Sequence, residues 1–522
     1  MSTTTAPVAT TPSAAPALFA WGYGLALGVL LLVGLLVRLP GLGDPPFNFF
    51  AARQFFSANR AHALYVEQKA FTQPWEREVA RKNANFTLEP VVVERIAAIA
   101  YNLFGEENLT IARTLSVLYW LLGGFFLYLL AARIYSSLAG LVAAAAYLFL
   151  PYGIVASQAF QPDPLMVTLT IAALYCIWRY GEERSLKFLL WGALCAAAAI
   201  YVKIGVGFFI AAAFAAVHFG RAETPTRRWW ARFIHPHAWL FAGIALLPGL
   251  LYYLNGLVFA GFLTGQVGNA FVPAMMRLPG FWMSWWFQLI GVFGIPLLAI
   301  AFIGTFTNLR RLVLVFLGSL WLAYLLYGLF FTYAIGTHNY YQLPFIPILA
   351  LGLAHLADIR GLRGVWRGAA FAGAALCLLV VAFGFMRQWD KRTPAQRASY
   401  RAAALHQTEI YRQIGDVLQH SQHVNALTEE YAEPLRYYGQ LVAGAWPTTA
   451  DYQAAKLRGT PTLTVEERMA VLLHEIGTQY FVITDLREIS RQIDLPLYLQ
   501  SHHPVLASTK EYIIFDLRRI AE

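Results

Sequence analysis

The chain has 522 residues, 58% of them hydrophobic and 13% charged, with a formal charge of +10. A soluble domain carries about 25% charged residues, so this composition, with its mean hydropathy of +0.51, excludes a single solvated globule and points to an integral membrane protein. The positive excess lies mostly in short loops between apolar runs, a pattern of membrane orientation that excludes a nucleic-acid-binding face.

Residues 1–16 are rich in Thr, Ala and Pro, hold no basic residue, and read as a disordered cytoplasmic tail, not a signal peptide. A helix of about 20 apolar residues crosses the hydrocarbon core. Eleven such runs are predicted, at roughly 18–38, 111–132, 138–158, 164–181, 187–203, 205–219, 238–262, 282–305, 312–333, 340–357 and 365–386. The fifth and sixth are short and meet at Lys203, as half-inserted segments would. The fold class expected is therefore a polytopic α-helical membrane protein over residues 17–386. The cysteines, Cys176, Cys195 and Cys377, lie in apolar runs without pairing or metal-ligand spacing.

Basic residues set the orientation. With a cytoplasmic N-terminus, the inner loops hold Arg133; Arg179, Arg184 and Lys187; Arg221, Arg227, Arg228 and Arg232; Arg310 and Arg311; and Arg360, Arg363 and Arg367. The short outer loops hold Lys203 and Arg277. The bias predicts a multi-pass plasma-membrane protein, N-terminus in and C-terminus out. Arg38, at the outer end of the first run, disagrees with it.

Two segments then fall outside the cytoplasm. The first is the loop 40–110, in which "PVVVERIAAIAYNLFG" (90–105) has helical apolar spacing and predicts an amphipathic helix at the interface. The second is residues 387–522. There "HVNAL" (423–427), "YFVITD" (480–485) and "EYIIFDL" (511–517) read as strands alternating with helical patterns such as "TVEERMAVLLHEIG" (464–477), predicting an extracytoplasmic α/β domain.

Charged groups near the membrane are costly and worth weighing. Under this topology Asp44, Arg53, Arg60 and His62, then Asp163, Lys203 and His338 with Tyr340 and Tyr341, all fall on the outer face. Each has a plainer reading. Asp163, between Pro162 and Pro164, suits a helix N-terminus. Lys203 suits a snorkelling lysine, His338 an aromatic interface belt, and Arg53 and Arg60, seven apart, one solvated helix face. Glu76 and Glu89 read as solvated loop carboxylates. Taken together, the cations and aromatics suit a phosphate carried on a lipid. "HEIGT" (474–478) lacks the second histidine of a zinc motif.

"RLPGLGDPPFNFFAARQFFSANRAHALY" (38–65) resembles the first extracytoplasmic loop of the GT-C membrane glycosyltransferases, in the protein O-mannosyltransferase and aminoarabinose-transferase branch related to glycosyltransferase family 39. "YNLFGEENLTIARTLSVLYWLLGG" (101–124), "LAGLVAAAAYLFLPYGIVASQAFQPDPLMV" (138–167) and "GTHNYYQLPFIPILALGLAHL" (336–356) are similar to later segments in the same order. "RYYGQLVAGAW", "IGTQYFVITD" and "YIIFDL" resemble the C-terminal domain of those proteins. The resemblance implies transfer of a hexose or mannose-like sugar from a polyprenyl-phosphate donor to a protein, lipid or glycan acceptor, with inversion. It also implies a carboxylate base, and cations or a divalent metal such as Mg or Mn on the departing phosphate.

The chain departs from that pattern where an acid is expected. Asn48 stands where relatives place an aspartate after the "PP" turn, and Asn339 follows His338. Asp44 or Asp163 is then the candidate base, and Asp163 a candidate metal ligand. Asn48, Arg53, Arg60, Lys203, His338, Tyr340 and Tyr341 are candidate donor contacts. Two accounts fit: an active transferase using a displaced base, or a homologue that keeps the pocket as a lipid-sugar-binding or assembly subunit. A lipid-linked sugar transporter would show internal repeats and paired broken helices, which the sequence lacks.

Overall fold

The computed structural model describes residues 15–69, 71–85, 89–220, 235–264, 270–308, 310–357, 393–457 and 459–520. The predicted eleventh span, and all but the last two residues of the predicted tail, lie outside the described residues.

The chain opens on helix α1 (Ala15–Leu36). The first loop carries α2 (Ala51–Glu67), α3 (Pro74–Ala84) and α4 (Val92–Phe104). The helix predicted at 90–105 is α4. It ends at Gly105, whose φ of 80° is a left-handed cap. Its inward face buries Val93, Ala97 and Tyr101 while Leu103 and Phe104 stay exposed, as an interfacial helix would have it. Asn108 caps α5 (Leu109–Ile134) by accepting from the Thr110 amide at 2.9 Å, and Ser136 caps α6 (Ser137–Phe149). The short α7 (Pro151–Ala156) follows, then α8 (Asp163–Glu183), α9 (Leu186–Val202), α10 (Gly207–Gly220) and α11 (Pro236–Leu254). Helices α12 (Pro279–Phe293) and α13 (Ile295–Phe306) lead to α14 (Arg311–Phe330), the short α15 (Thr332–Thr337) and α16 (Ile346–His355).

Several of the predicted runs are broken rather than continuous helices. Among the described residues three helices, Leu109–Ile134, Pro236–Phe259 and Arg311–Phe330, are long and apolar enough to cross alone, and α12 with α13 would make a fourth. That pair bends by 91° at Gly294, whose φ of 74° suits only glycine. The run predicted at 138–158 is cut by Pro151, which cannot continue a helix. The run at 340–357 begins as a 3-10 turn, Asn339–Phe345, containing Pro344. The fifth and sixth runs do break at Lys203 into two short helices.

Helix α8 sits centrally, against α5, α9 and α10. Helices α13 and α16 touch through glycine: a Cβ on Gly304 would strike the Gly352 carbonyl, and one on Gly352 the Ala301 carbonyl. Arg38 resolves its own conflict with the charge bias. It is fully buried and donates to Ser157 Oγ at 2.6 Å and to the carbonyls of Gly34 and Leu148 at 2.8 Å each, so its charge is spent inside the protein.

The C-terminal residues form α17 (Pro394–Val417), opened by a Thr393–Gln396 capping box, then a five-stranded sheet. Its strands are β1 (Val424–Leu427), β2 (Ala443–Ala445), β3 (Tyr480–Ile483), β4 (Val505–Ser508) and β5 (Ile513–Asp516), in the order β2-β1-β3-β5-β4. Strand β1 is parallel to β2 and β3; β5 is antiparallel to β3 and β4. Helix α18 (Glu433–Gly439) connects β1 to β2 and packs on α2.

Candidate functional site

The first loop is fastened by two buried side chains. Arg113 of α5 donates to the carbonyls of Leu42 (2.6 Å), Asp44 (2.7 Å) and Gly41 (3.1 Å), and to that of Gln158 (2.9 Å). Gln54 of α2 donates to the Phe49 carbonyl at 2.7 Å and accepts from the Phe160 amide at 3.1 Å. The "DPPFNFF" turn is thereby held against the residues that precede α8. Helix α2 starts after Phe50, whose φ of 43° is left-handed, and that end has no side-chain cap of its own. The Glu430 carboxylate supplies one from the other end of the chain, accepting from the Ala52 amide at 2.8 Å.

The start of α2, the start of α8 and the α9–α10 break meet. Lys203 Nζ donates to Asp163 Oδ1 at 2.9 Å, both side chains nearly buried. Arg53 Nη2 donates to Glu89 Oε2 at 2.7 Å and Oε1 at 3.0 Å. Glu89 Oε1 lies 3.9 Å from Lys203 Nζ, joining the two pairs. Lys203 stands 4.8 Å from the Tyr340 ring and 5.0 Å from that of Tyr341. Phe50 packs edge-on to Tyr340 (4.7 Å) and is stacked with His338 (5.9 Å). Two buried atoms of this cluster have no partner among the described residues: Asp163 Oδ2 and Arg53 Nε.

Burial alone would raise the Glu89 carboxyl, but Arg53 and Lys203 outweigh it and hold it below the usual carboxylate range. Burial opposes the Arg53 charge, yet Glu89, Tyr340 and Asp163 raise it further. His338 is pushed down to about 4 by burial and then by Arg53 and Lys203, so at neutral pH it is an uncharged imidazole.

The structure thus brings together Arg53, Asp163, Lys203, His338, Tyr340 and Tyr341. Asp44 does not join them: it points to Arg401 of α17, 3.5 Å away. Asn48 is half-buried in the turn itself. Arg60 makes no contact with Asp163 or Lys203: it lies 3.3 Å over the Phe56 ring and donates to the Phe56 carbonyl, within electrostatic reach of Arg53 and Glu89, with burial lowering it to about 10. His62 pairs with Glu107 at 2.7 Å. Asn339 accepts from the Tyr152 hydroxyl at 2.6 Å.

Glu89 corrects the reading of a solvated loop acid. Its signal was the Glu-Pro step opening an amphipathic helix, which brings the acid to the protein side of the interface. The expected metal role of Asp163 finds no support in the donor set. Its bonded oxygen holds an ammonium group and Glu89 holds a guanidinium. Among the described residues no three His, Cys, Asp or Glu side chains gather as a metal site.

Residues 89–253 match the dolichyl-phosphate-mannose-protein mannosyltransferase family. No curated protein sequence matches the chain. Among solved structures, ArnT from Cupriavidus metallidurans superposes with a TM-score of 0.54 at 15% identity in the apo state, covering 95% of this chain and 98% of that one. The same protein bound to undecaprenyl phosphate matches at 0.54 and 14% identity, with the same coverage. The Archaeoglobus fulgidus oligosaccharyltransferase matches at 0.51 and 12% identity, over 91% of this chain and 71% of that one. The arabinofuranosyltransferase AftD from Mycobacteria matches at 0.51 and 17% identity, over 95% of this chain and 41% of that one. These matches agree with the resemblance carried by 38–65, 101–124, 138–167 and 336–356.

Proposed function

For a chain with the fold of the GT-C membrane glycosyltransferases, we propose the transfer of a hexose or mannose-like sugar from a polyprenyl-phosphate donor to an extracytoplasmic acceptor, with inversion. The observation that carries this reading is the buried Arg53–Glu89–Lys203–Asp163 cluster under the aromatic side chains of Phe50, His338, Tyr340 and Tyr341. Arg53 and Lys203 supply the positive charge a departing phosphate needs. The aromatic faces suit a sugar ring. A lateral cavity of about 480 Å³, lined by Trp282, Trp285, Trp286, Phe306, Trp321 and Tyr324, suits a prenyl tail. The binding of undecaprenyl phosphate by ArnT supports a lipid phosphate as donor. The protein would span the plasma membrane several times, with its N-terminus cytoplasmic and its sheet outside.

In this mechanism the acceptor oxygen attacks the anomeric carbon from the face opposite the phosphate. The bond from that carbon to the phosphate oxygen breaks, and the phosphate leaves with the electron pair towards Arg53 and Lys203. The acceptor proton passes to Asp163, whose unpartnered Oδ2 is the free lone-pair-bearing oxygen of the cluster. Neutral His338 serves as a hydrogen-bonding group, not as a second cation.

The amides at Asn48 and Asn339 favour a second reading, in which the site binds the lipid-linked sugar without turning it over. One experiment separates the two. The purified protein in nanodiscs is given a polyprenyl-phosphate hexose and candidate acceptors, and released polyprenyl phosphate is measured. Release above a protein-free control supports the transferase. Saturable donor binding with no release for any acceptor supports the binding subunit.

A further inference from the structure

We propose that Glu89 is an internal anion seated where the donor phosphate belongs, and that the donor must displace it to bind; this rests on the function proposed above. Its carboxylate occupies the Arg53 guanidinium, both oxygens sharing one nitrogen. Arg53 Nη2 reaches both its oxygens, at 2.7 and 3.0 Å, and Lys203 Nζ lies 3.9 Å from one of them. Guanidinium groups bind carboxylates and phosphates with the same fork of donors, so the two anions compete for one seat.

The charge balance points the same way. Arg53, Lys203, Glu89 and Asp163 carry no net formal charge among them, and the nearby Arg60 is shared with Glu94 and Glu433, so the seat has little pull on a small anion. A phosphodiester donor carries one negative charge, and its entry beside a seated Glu89 would put like charges together in a poorly solvated site. Glu89 lies outside any helix, in the connection just before α4. Rotation of its side chain frees Arg53 without breaking a helical hydrogen bond. Removing Glu89 leaves Arg53 and Lys203 for the phosphate, and Arg53 Nε, buried and unpartnered, is an additional donor ready for it. As Lys203 turns to the phosphate it leaves Asp163 Oδ1, so the ion pair on the proposed base is loosened once the donor is in place.

Glu89 therefore acts as a selectivity element. A prenyl-linked phosphate brings the burial of its tail to the competition and wins. Inorganic phosphate brings only charge and loses.

The test measures binding of undecaprenyl phosphate and of inorganic phosphate to the full-length protein in nanodiscs. The variants are Glu89→Gln, Glu89→Asp and Arg53→Gln. Removal of one facing charge is expected to tighten lipid binding about tenfold or more in Glu89→Gln, and to create inorganic phosphate binding absent from the unmodified protein. Glu89→Asp, which keeps the charge but shortens the reach, is expected to fall between. Arg53→Gln is expected to lose lipid binding. A gain of affinity is not what a damaged fold produces, so tightening in either Glu89 variant supports the proposal. If the unmodified protein binds the lipid and neither Glu89 variant binds it more tightly, the internal-anion role is overturned and the transferase reading stands. If none of the four proteins binds the lipid, the proposed function fails and takes this inference with it.

Discussion

Replacing Asp163 by Asn isolates the proton-accepting role with little change of shape. The side chain is 1% exposed and bonded to Lys203 at 2.9 Å. An amide oxygen can still accept from Lys203, so the hydrogen bond persists while the ion pair is lost. Breaking a buried pair outright costs about 3–5 kcal/mol, and the retained bond should hold the loss below that, leaving a folded protein with a lowered Tm. The amide cannot take the acceptor proton, and loss of a general base costs about 10²–10⁴-fold in rate, or about 2.7–5.5 kcal/mol of barrier. The assay is release of polyprenyl phosphate from a polyprenyl-phosphate hexose, with donor affinity measured on the same preparation. The expected result is turnover reduced by at least about 10² with donor binding retained. Turnover within a few-fold of the unmodified protein, in a variant that still binds donor, would refute the assignment of Asp163 as base.

Arg113→Ala should prevent accumulation of folded protein. It strands the carbonyls of Leu42, Asp44 and Gln158, each such loss costing about 1–3 kcal/mol; a normal Tm by scanning fluorimetry would contradict this. Glu430→Ala removes the cap on α2 and should lower stability by about 0.5–2 kcal/mol, with Glu430→Gln recovering part of it; equal Tm values for both variants and the unmodified protein would count against the cap. His62 gives a pH dependence. Burial disfavours its charge, but Glu107 outweighs burial and its folded pKa is raised above 6.5. The stability it contributes is therefore complete below about 6.5 and fades as pH rises through the folded value. Tm should fall across that rise in the unmodified protein and be flatter in His62→Gln; matching slopes would remove His62 as the cause. Tyr152→Phe deletes the hydroxyl bonded to Asn339 and should weaken donor binding by about tenfold or less, measured by the same lipid titration.

The sequence carried the membrane class, the first loop and the outer-face position of Arg53, Asp163, Lys203 and His338, because apolar runs and the cost of charge near lipid are local signals. It separated Asp163 and Lys203 by forty positions with nothing to couple them, yet the order of the loops placed both on one face, and the structure joins them at 2.9 Å. Asp44 lies apart from the cluster because proximity in the chain to Arg53 says nothing about α17, which brings Arg401 to it from more than 350 residues away. Glu89 was discounted because a lone loop carboxylate is usually solvated; its burial depends on how α4 lies against α2, a packing outcome with no periodicity of its own. Strands β1, β3 and β5 were legible from runs of β-branched and aromatic residues. Strands β2 ("AGA") and β4 ("VLAS") are too short and too poor in such residues to announce themselves, and they pair at the sheet edges because β1 and β5 offer free backbone there.

The first loop leans on partners made very late in synthesis. Ala52 takes its cap from Glu430, Asn59 bonds Glu433 at 2.8 Å, and Tyr437 joins His62 through Glu107. A ribosome must therefore add nearly four hundred residues after α2 emerges before α2 meets its anchors. Release of the nascent protein ahead of that point would leave α2 without its cap and its anchors, and the first loop would be fastened only when those late residues arrive.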